Sequence, residues 1–115
     1  MLQNGLTMAE TYKILGQSAV TTAFANVYTV PAATQAVVSS IVIANRSSSN
    51  VNYRIAVCQN AAAVSNTNYI AYDAVISGND SIGLSLGITM GNNDLISANA
   101  SSNVLTLSIF GTEIT

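Results

Sequence analysis

The sequence predicts an all-β protein: a single-domain antiparallel β-sandwich of about eight strands, with jelly-roll or immunoglobulin-like topology and no substantial helix. Three observations lead to this prediction. Apolar residues alternate with polar ones at the period of a strand, turn residues interrupt the pattern about every ten residues, and β-branched residues are abundant. The length of 115 residues suits one hydrophobic core.

Each strand is recognised by its alternation and by the Gly, Asn, Ser or Pro residues that end it. The strand candidates are segments 11–18, 24–30, 35–45, 50–58, 67–75, 81–88, 95–100 and 103–111. Segment 35–45 is the most continuously apolar, which indicates a central strand. A short polar loop joins it to segment 50–58, and the two together predict a β-hairpin.

Segment 81–88 has the most regular alternation in the chain. Its aliphatic face consists of Ile82, Leu84, Leu86 and Ile88. Its bare face consists of Ser81, Gly83, Ser85 and Gly87. A bare strand face is either a solvent face or a surface that another backbone or sheet approaches closely. We favour close approach, which makes these four residues candidate interface residues.

Charged residues are scarce, at 7% of the chain compared with about 25% in a typical domain. The surface must therefore consist largely of neutral Ser, Thr, Asn, Gln, Ala and Gly side chains. Interface cores are depleted in charge, so this composition indicates a homo-oligomer or a subunit of a larger assembly. The alternative is a monomer that neutral polar groups keep in solution.

The composition argues against several classes of function. The chain has no histidine, a single cysteine and no phosphate-binding loop, so we predict a non-enzymatic protein without metal or cofactor. The net charge of −2 and the absence of a long apolar run predict neither a nucleic-acid nor a membrane partner. Asp80 and Asp94 occur at turns, where Asp forms turns more often than a catalytic pair or a calcium site.

A second set of candidate interface residues combines charge with aromatic rings. Arg54 lies within an otherwise apolar strand, and Asp73 follows Tyr69 and Tyr72. Arg and Tyr are enriched in interfaces, where Arg54 could either pair with Asp73 or bond carbonyl groups of a neighbour. The alternative is a solvated arginine whose stem lies across the sheet. Cys58, at the end of a strand, is expected to be buried and inert.

The first residues differ in character from the rest. MLQNGLT precedes a second methionine, Met8, after which the sequence reads like a natural start. We therefore assign residues 1–10 to an N-terminal extension or arm and residues 11–115 to the β-sandwich domain. The extension is either a mobile tail or an arm that orders on a neighbour.

Five segments occur in an order that resembles a known family. They are YKILGQSA, VYTVPAATQAVVSSIVIANR, NYRIAV, NYIAYDAVISGNDSIGLSLGITMGNNDLI and SIFGTEIT. Together they are similar to small virion structural proteins of tailed bacteriophages, frequent in phages of cyanobacteria and aquatic bacteria. The resemblance implies a structural protein located in the virion and assembled in the bacterial host cytoplasm.

Two places on a phage particle fit this resemblance. The first is a capsid decoration or cement protein that stabilises the head lattice through contacts with the major capsid protein or other virion proteins. Closed symmetry then favours a trimer, and next a dimer. The second is a tail, baseplate or fibre component, either an adaptor or a host-glycan-binding tip. Loops that carry tyrosine would suit glycan contact.

Overall fold

The computed structural model describes residues 9–115, which form eight strands in two antiparallel sheets. The strands are β1 (Glu10–Val20), β2 (Ala25–Thr29), β3 (Gln35–Asn45), β4 (Val51–Cys58), β5 (Tyr69–Ile76), β6 (Ser81–Met90), β7 (Leu95–Ala100) and β8 (Leu105–Ile114). A single 3-10 turn at Gln59–Ala61 is the only helical element of this range. The predicted all-β sandwich is confirmed. Most of the predicted N-terminal arm, residues 1–8, lies outside the described residues.

The strand order distinguishes between the two predicted topologies. Sheet A has the order β1-β8-β3-β6, and sheet B has the order β2-β7-β4-β5. The chain passes from one sheet to the other after most strands, and the first strand pairs with the last. This is the topology of a jelly roll, in which two four-stranded sheets enclose one core.

The predicted hairpin between segments 35–45 and 50–58 is wrong. β3 pairs with β6 and β8, whereas β4 pairs with β5 and β7. The intervening loop crosses from sheet A to sheet B, and each strand thereby buries its apolar face against the other sheet. A short polar loop between two alternating strands is compatible with either geometry, so the local pattern contains no information on which one forms.

The buried side chain of Asn45 stabilises this crossover through hydrogen bonds. Its side-chain amide donates to the carbonyls of Ser49 at 2.8 Å, Ser77 at 3.1 Å and Ile76 at 3.3 Å. Its Oδ1 accepts from the Ser47 amide at 3.0 Å. One side chain therefore ties the β3–β4 crossover to the turn that follows β5.

The core lies between the sheets and contains the apolar faces that the alternation predicts. Its largest fully buried side chains include Ile41, Ile43, Ile55, Ile96, Leu105, Leu107 and Ile109. β3 is an inner strand of sheet A, which confirms its predicted central position. Cys58 belongs to a smaller second cluster with Ala56 and Leu95, where burial raises the pKa of the thiol.

Candidate functional site

Arg54 and Asp73 form a two-pronged ion pair on sheet B. Arg54 Nε lies 2.6 Å from Asp73 Oδ1, and Arg54 Nη2 lies 3.1 Å from Asp73 Oδ2. A β-bulge produces this geometry, because Tyr53 pairs with Ala74 while Ile55 pairs with Ala71. Two β5 residues, Tyr72 and Asp73, therefore lie opposite the single Arg54. Asp73 adopts a φ of 52°, in the left-handed region that Asp tolerates better than most residues.

Aromatic rings extend this pair into a cluster. The Arg54 guanidinium carbon lies 4.1 Å from the centroid of the Tyr72 ring. The Tyr72 ring meets Tyr69 edge-on, with centroids 4.8 Å apart, and Phe24 lies 6.1 Å beyond Tyr69. Tyr72 remains 56% exposed. The structure thus brings all four predicted residues of this set together and adds Phe24. We call these five residues the Arg54 cluster.

The Arg54 cluster is polar but carries no net charge. The hydrogen bond from Arg54 lowers the pKa of the Asp73 carboxyl, and the same bond raises the pKa of the guanidinium. Both groups are therefore ionised near neutral pH and offset each other. A shallow hollow of about 240 Å³ adjoins the pair, and Asn52, Asn99 and Ser101 contribute to its lining. The ion pair and the hollow thus place hydrogen-bonding groups beside the exposed ring of Tyr72.

The other predicted set lies on sheet A. Ser81, Gly83, Ser85 and Gly87 all point outward from β6, the strand at one edge of that sheet. A Cβ atom placed on Gly83 or Gly87 would meet no atom within 4 Å. Within the described range, therefore, this face is open. The eight predicted residues form two separate surfaces, because β5 and β6 belong to different sheets.

The bare face of β6 continues across sheet A. The register places Gly83 beside Val42 on β3, and Val42 beside Ser108 on β8. None of the residues that point outward from β3, β6 and β8 is charged. Large apolar side chains are exposed on the same sheet, Tyr12 by 78%, Ile14 by 53% and Val42 by 36%. The outer face of sheet A is therefore neutral along β3, β6 and β8 and partly apolar.

The five tyrosines do not form one platform. Tyr28 and Tyr53 are buried, Tyr12 is exposed on β1 of sheet A, and Tyr69 and Tyr72 belong to the Arg54 cluster. Only the last two adjoin polar groups that could take part in recognition.

The sequence did not predict a polar cluster in which the buried Tyr28 and Glu113 meet the half-exposed Lys13. Lys13 Nζ lies 2.7 Å from Glu113 Oε1, and the Tyr28 hydroxyl donates to Glu113 Oε2 at 2.6 Å. The bonds from Lys13 and Tyr28 lower the pKa of Glu113, whereas burial and the nearby carboxylate raise the pKa of Tyr28. A signal was present, since Glu113 has the same parity as the core residues Leu107 and Ile109 and so had to face inward.

This cluster predicts an acid-sensitive contribution to stability. The folded-state pKa of Glu113 lies below its unfolded value, so the contribution is complete above the unfolded pKa and is lost as the pH falls through the folded pKa. We expect Glu113→Gln to lower the free energy of unfolding at neutral pH by about 1 to 3 kcal/mol. Denaturant titrations from about pH 7 to about pH 3 should then show a weaker pH dependence than in the wild type.

Glu10→Gln is the matched control, because Glu10 is exposed at the start of β1. It should follow the wild-type pH dependence. Asp73 contributes to the acid dependence that remains, since the hydrogen bond from Arg54 also lowers its pKa. Identical pH dependence in wild type and Glu113→Gln would contradict the assignment.

The remaining aspartates serve turns. Asp94 accepts the Asn60 amide at 2.9 Å through Oδ1 and the Gly91 amide at 2.8 Å through Oδ2. Asp80 Oδ1 accepts the Ser81 amide at 2.8 Å. Among residues 9–115, no group of three or more His, Cys, Asp or Glu side chains could hold a metal ion. The same range contains no helix with the length and hydropathy to cross a membrane.

Comparison with known proteins gives information on the fold. No protein-family model matches the sequence. No curated protein matches it significantly. Among solved structures, the chain is similar to one from the structure of infectious bursal disease virus, Gx strain, with a TM-score of 0.50 and 8% sequence identity. The match covers 93% of this chain and 31% of the viral chain. What the two share is the fold.

Proposed function

We propose that this protein is a non-enzymatic structural component of a virus particle, a capsid decoration or cement protein of a tailed bacteriophage. The observation that carries this proposal is the neutral outer face of sheet A on a jelly-roll scaffold. The fold is similar to that of a chain in the structure of a virus, which supports a structural role in a virion. The sequence resemblance to phage virion proteins points in the same direction.

The neutral face is physically suited to a broad protein contact. Docking on it requires no desolvation of charged groups along β3, β6 and β8, and such desolvation costs several kcal/mol for each ion. Exposed Tyr12, Ile14 and Val42 supply apolar area. The major capsid protein is the partner that we propose for this face. Clamping adjacent capsid subunits through it would stabilise the head lattice.

The carboxylates also fit a structural role. Asp80 and Asp94 bond backbone amides in turns, Asp73 is paired with Arg54, and Glu113 is buried against Lys13 and Tyr28. Each of these carboxylates already serves the fold. This is what supports a non-enzymatic function.

Copy number per virion tests the proposal. Quantitative mass spectrometry of purified particles would compare this protein with the major capsid protein. A decoration protein should be present in hundreds of copies, because a capsid lattice repeats its sites that often. Tail structures have low-order symmetry and carry on the order of 3 to 30 copies. A count in the low tens would overturn the capsid assignment.

A matched pair of variants tests the face itself. Val42 and Val75 are both exposed valines on strands, Val42 on sheet A and Val75 on sheet B. Val42→Lys should abolish binding to undecorated capsids, because it introduces a charge in the middle of the neutral face. Val75→Lys should bind like the wild type. Equal binding by both variants would show that sheet A is not the contact surface.

The Arg54 cluster favours one alternative, a tail or fibre component that binds host glycans. Sugar rings stack on exposed aromatic faces, and their hydroxyls bond to planar polar groups. Tyr72 offers an exposed aromatic ring, and the hollow beside Arg54 and Asp73 offers planar polar groups. Under this alternative the protein binds host polysaccharide, and Tyr72→Ala removes the binding while Tyr12→Ala does not. Such a result together with a low copy number would move the protein to the tail.

A further inference from the structure

β6 is the least protected edge strand: it carries neither charge nor proline, and its one irregularity is a register shift against β3 between Ser85 and Ile88. It has ten residues and one hydrogen-bonded neighbour, β3, within the described chain. Segment 81–93 contains no charged residue and no proline. A long edge strand of this kind presents unpaired amides and carbonyls to other chains.

The remaining three edges are blunted in ways that natural sheets use to prevent pairing. β1 carries Lys13 and has a register shift before Gly16, where it lies against the backbone of β2. β2 has only five residues and is soon followed by Pro31. β5 has two register shifts and the charged Asp73 at a positive φ. The contrast indicates that β6 is left open for a partner strand.

The sequence of β6 identifies that partner as a second copy of the same strand. Residues 82–88 read Ile-Gly-Leu-Ser-Leu-Gly-Ile, which is the same in both directions. Antiparallel pairing about a two-fold axis at Ser85 places every residue opposite one of its own type. The resulting pairs are Ile82 with Ile88, Gly83 with Gly87, Leu84 with Leu86, and Ser85 with itself. An isologous interface brings the same surface of both subunits together, and here the paired positions also match in residue type.

The hydrogen-bond phase of β6 agrees with an axis at Ser85. The Asn45 amide donates to the Asp80 carbonyl at 2.9 Å, so the adjacent pair Ala44 and Ser81 is not hydrogen-bonded. The amide and carbonyl of Ser81 therefore point away from β3. The amides and carbonyls of Gly83 and Ser85, two and four residues further along β6, also point away from β3. With a two-fold axis at Ser85, the amide and carbonyl of Ser85 lie at the open edge, where they can bond reciprocally to the second copy.

The aliphatic face of β6 gives this pairing a hydrophobic component. Leu84 and Leu86 are only partly buried, whereas Ile41 and Ile109 on the inner strands are completely buried. Directly opposite residues of an antiparallel pair lie on the same face of a sheet. Leu84 of one copy would therefore pack against Leu86 of the other and cover the exposed margin of the core.

We propose that the chain forms a two-fold homodimer by antiparallel pairing of β6 with β6 of a second copy, centred on Ser85. The product is a continuous eight-stranded sheet built from two copies of sheet A. This proposal selects the dimer, the second of the two oligomers that the sequence favours. It is independent of a virion role, since the pairing is a property of the isolated chain.

Opposite charges at position 85 provide the decisive experiment. The wild type should have twice the chain mass by light scattering at micromolar concentration. Ser85→Lys and Ser85→Asp should each raise the dissociation constant about tenfold or more, because each places two like charges opposite each other. An equimolar mixture of the two variants should restore the dimer as a heterodimer. A monomeric or trimeric wild type, or a mixture that stays monomeric, would overturn the proposal.

A proline variant tests the backbone pairing separately. In Ser85→Pro the lost amide is one that points to the open edge, where proline is tolerated. The dimer should be lost while the melting temperature of the monomer changes little. Ser85→Ala, the control, keeps the amide and should stay dimeric. Dissociation of Ser85→Ala to the same extent as Ser85→Lys would overturn pairing through the backbone.

Discussion

Gly111→Ala is expected to destabilise the protein by about 3 kcal/mol or more, a large share of the stability of a small domain. Gly111 lies on β8, between β1 and β3. A Cβ atom there would overlap the carbonyl oxygen of Val37 and lie 3.0 Å from both Leu15 Cδ1 and the Cα atom of Val38. Backbone of an inner strand cannot move away cheaply. The midpoint of denaturant unfolding measures the loss.

Gly83→Ala is the matched control, since it makes the same change on a strand of the same sheet. Its Cβ atom meets open space, and the alanine lowers the entropy of the unfolded chain. The variant should therefore keep or slightly exceed the wild-type stability when the two are compared in the same oligomeric state. Equal midpoints for Gly83→Ala and Gly111→Ala would mean that the close packing around Gly111 is incorrect.

Asn45→Ala is expected to cost about 3 kcal/mol, because it leaves several buried backbone groups without a partner at once. The carbonyls of Ser49 and Ser77 and the amide of Ser47 all bond to this side chain. Since these groups belong to two different loops, the crossover from β3 to β4 should also become more mobile. Denaturant unfolding gives the free energy, and amide hydrogen exchange in residues 46–50 reports the loop.

Asn45→Asp separates the donor role from simple packing. A carboxylate of the same shape would face carbonyl oxygens, so the loss at neutral pH should exceed that of Asn45→Ala and should diminish as acid protonates the carboxyl. Asn66→Ala, in the exposed loop between β4 and β5, should change stability by less than about 0.5 kcal/mol. Wild-type stability of Asn45→Asp at neutral pH would contradict the hydrogen-bond network.

Strand positions were predictable because each strand buries one face, and burial appears in the sequence as parity. Leu105, Leu107 and Ile109 alternate with polar residues and do face the core. Strand partners were not predictable in this way. β1 pairs with β8 over a separation of about a hundred residues, and no local pattern encodes such a pairing. The incorrect hairpin between β3 and β4 has the same cause.

The candidate site was likewise predictable only in part. The pairing of Arg54 with Asp73 was one of the options that the sequence offered, because a charged residue on an apolar strand favours a partner. The β-bulge that places Tyr72 over the guanidinium did not follow, since a bulge is one extra residue whose position depends on both strands. Phe24 joined the Arg54 cluster from a distant part of the chain. Both candidate surfaces were found in the sequence, but their separation onto two sheets depends on topology.

The position of β8 also determines when the protein can fold during its synthesis. β8 provides the hydrogen-bonded neighbour for β1 on one side and for β3 on the other. Sheet A therefore cannot assemble until residues 105–114 have left the ribosome. Until then β1 and β3 lack β8 as a partner and expose amides and aliphatic side chains, which favours aggregation. The long separation in sequence between β1 and β8 therefore predicts slow folding, with sheet A completed only after β8 has been synthesised.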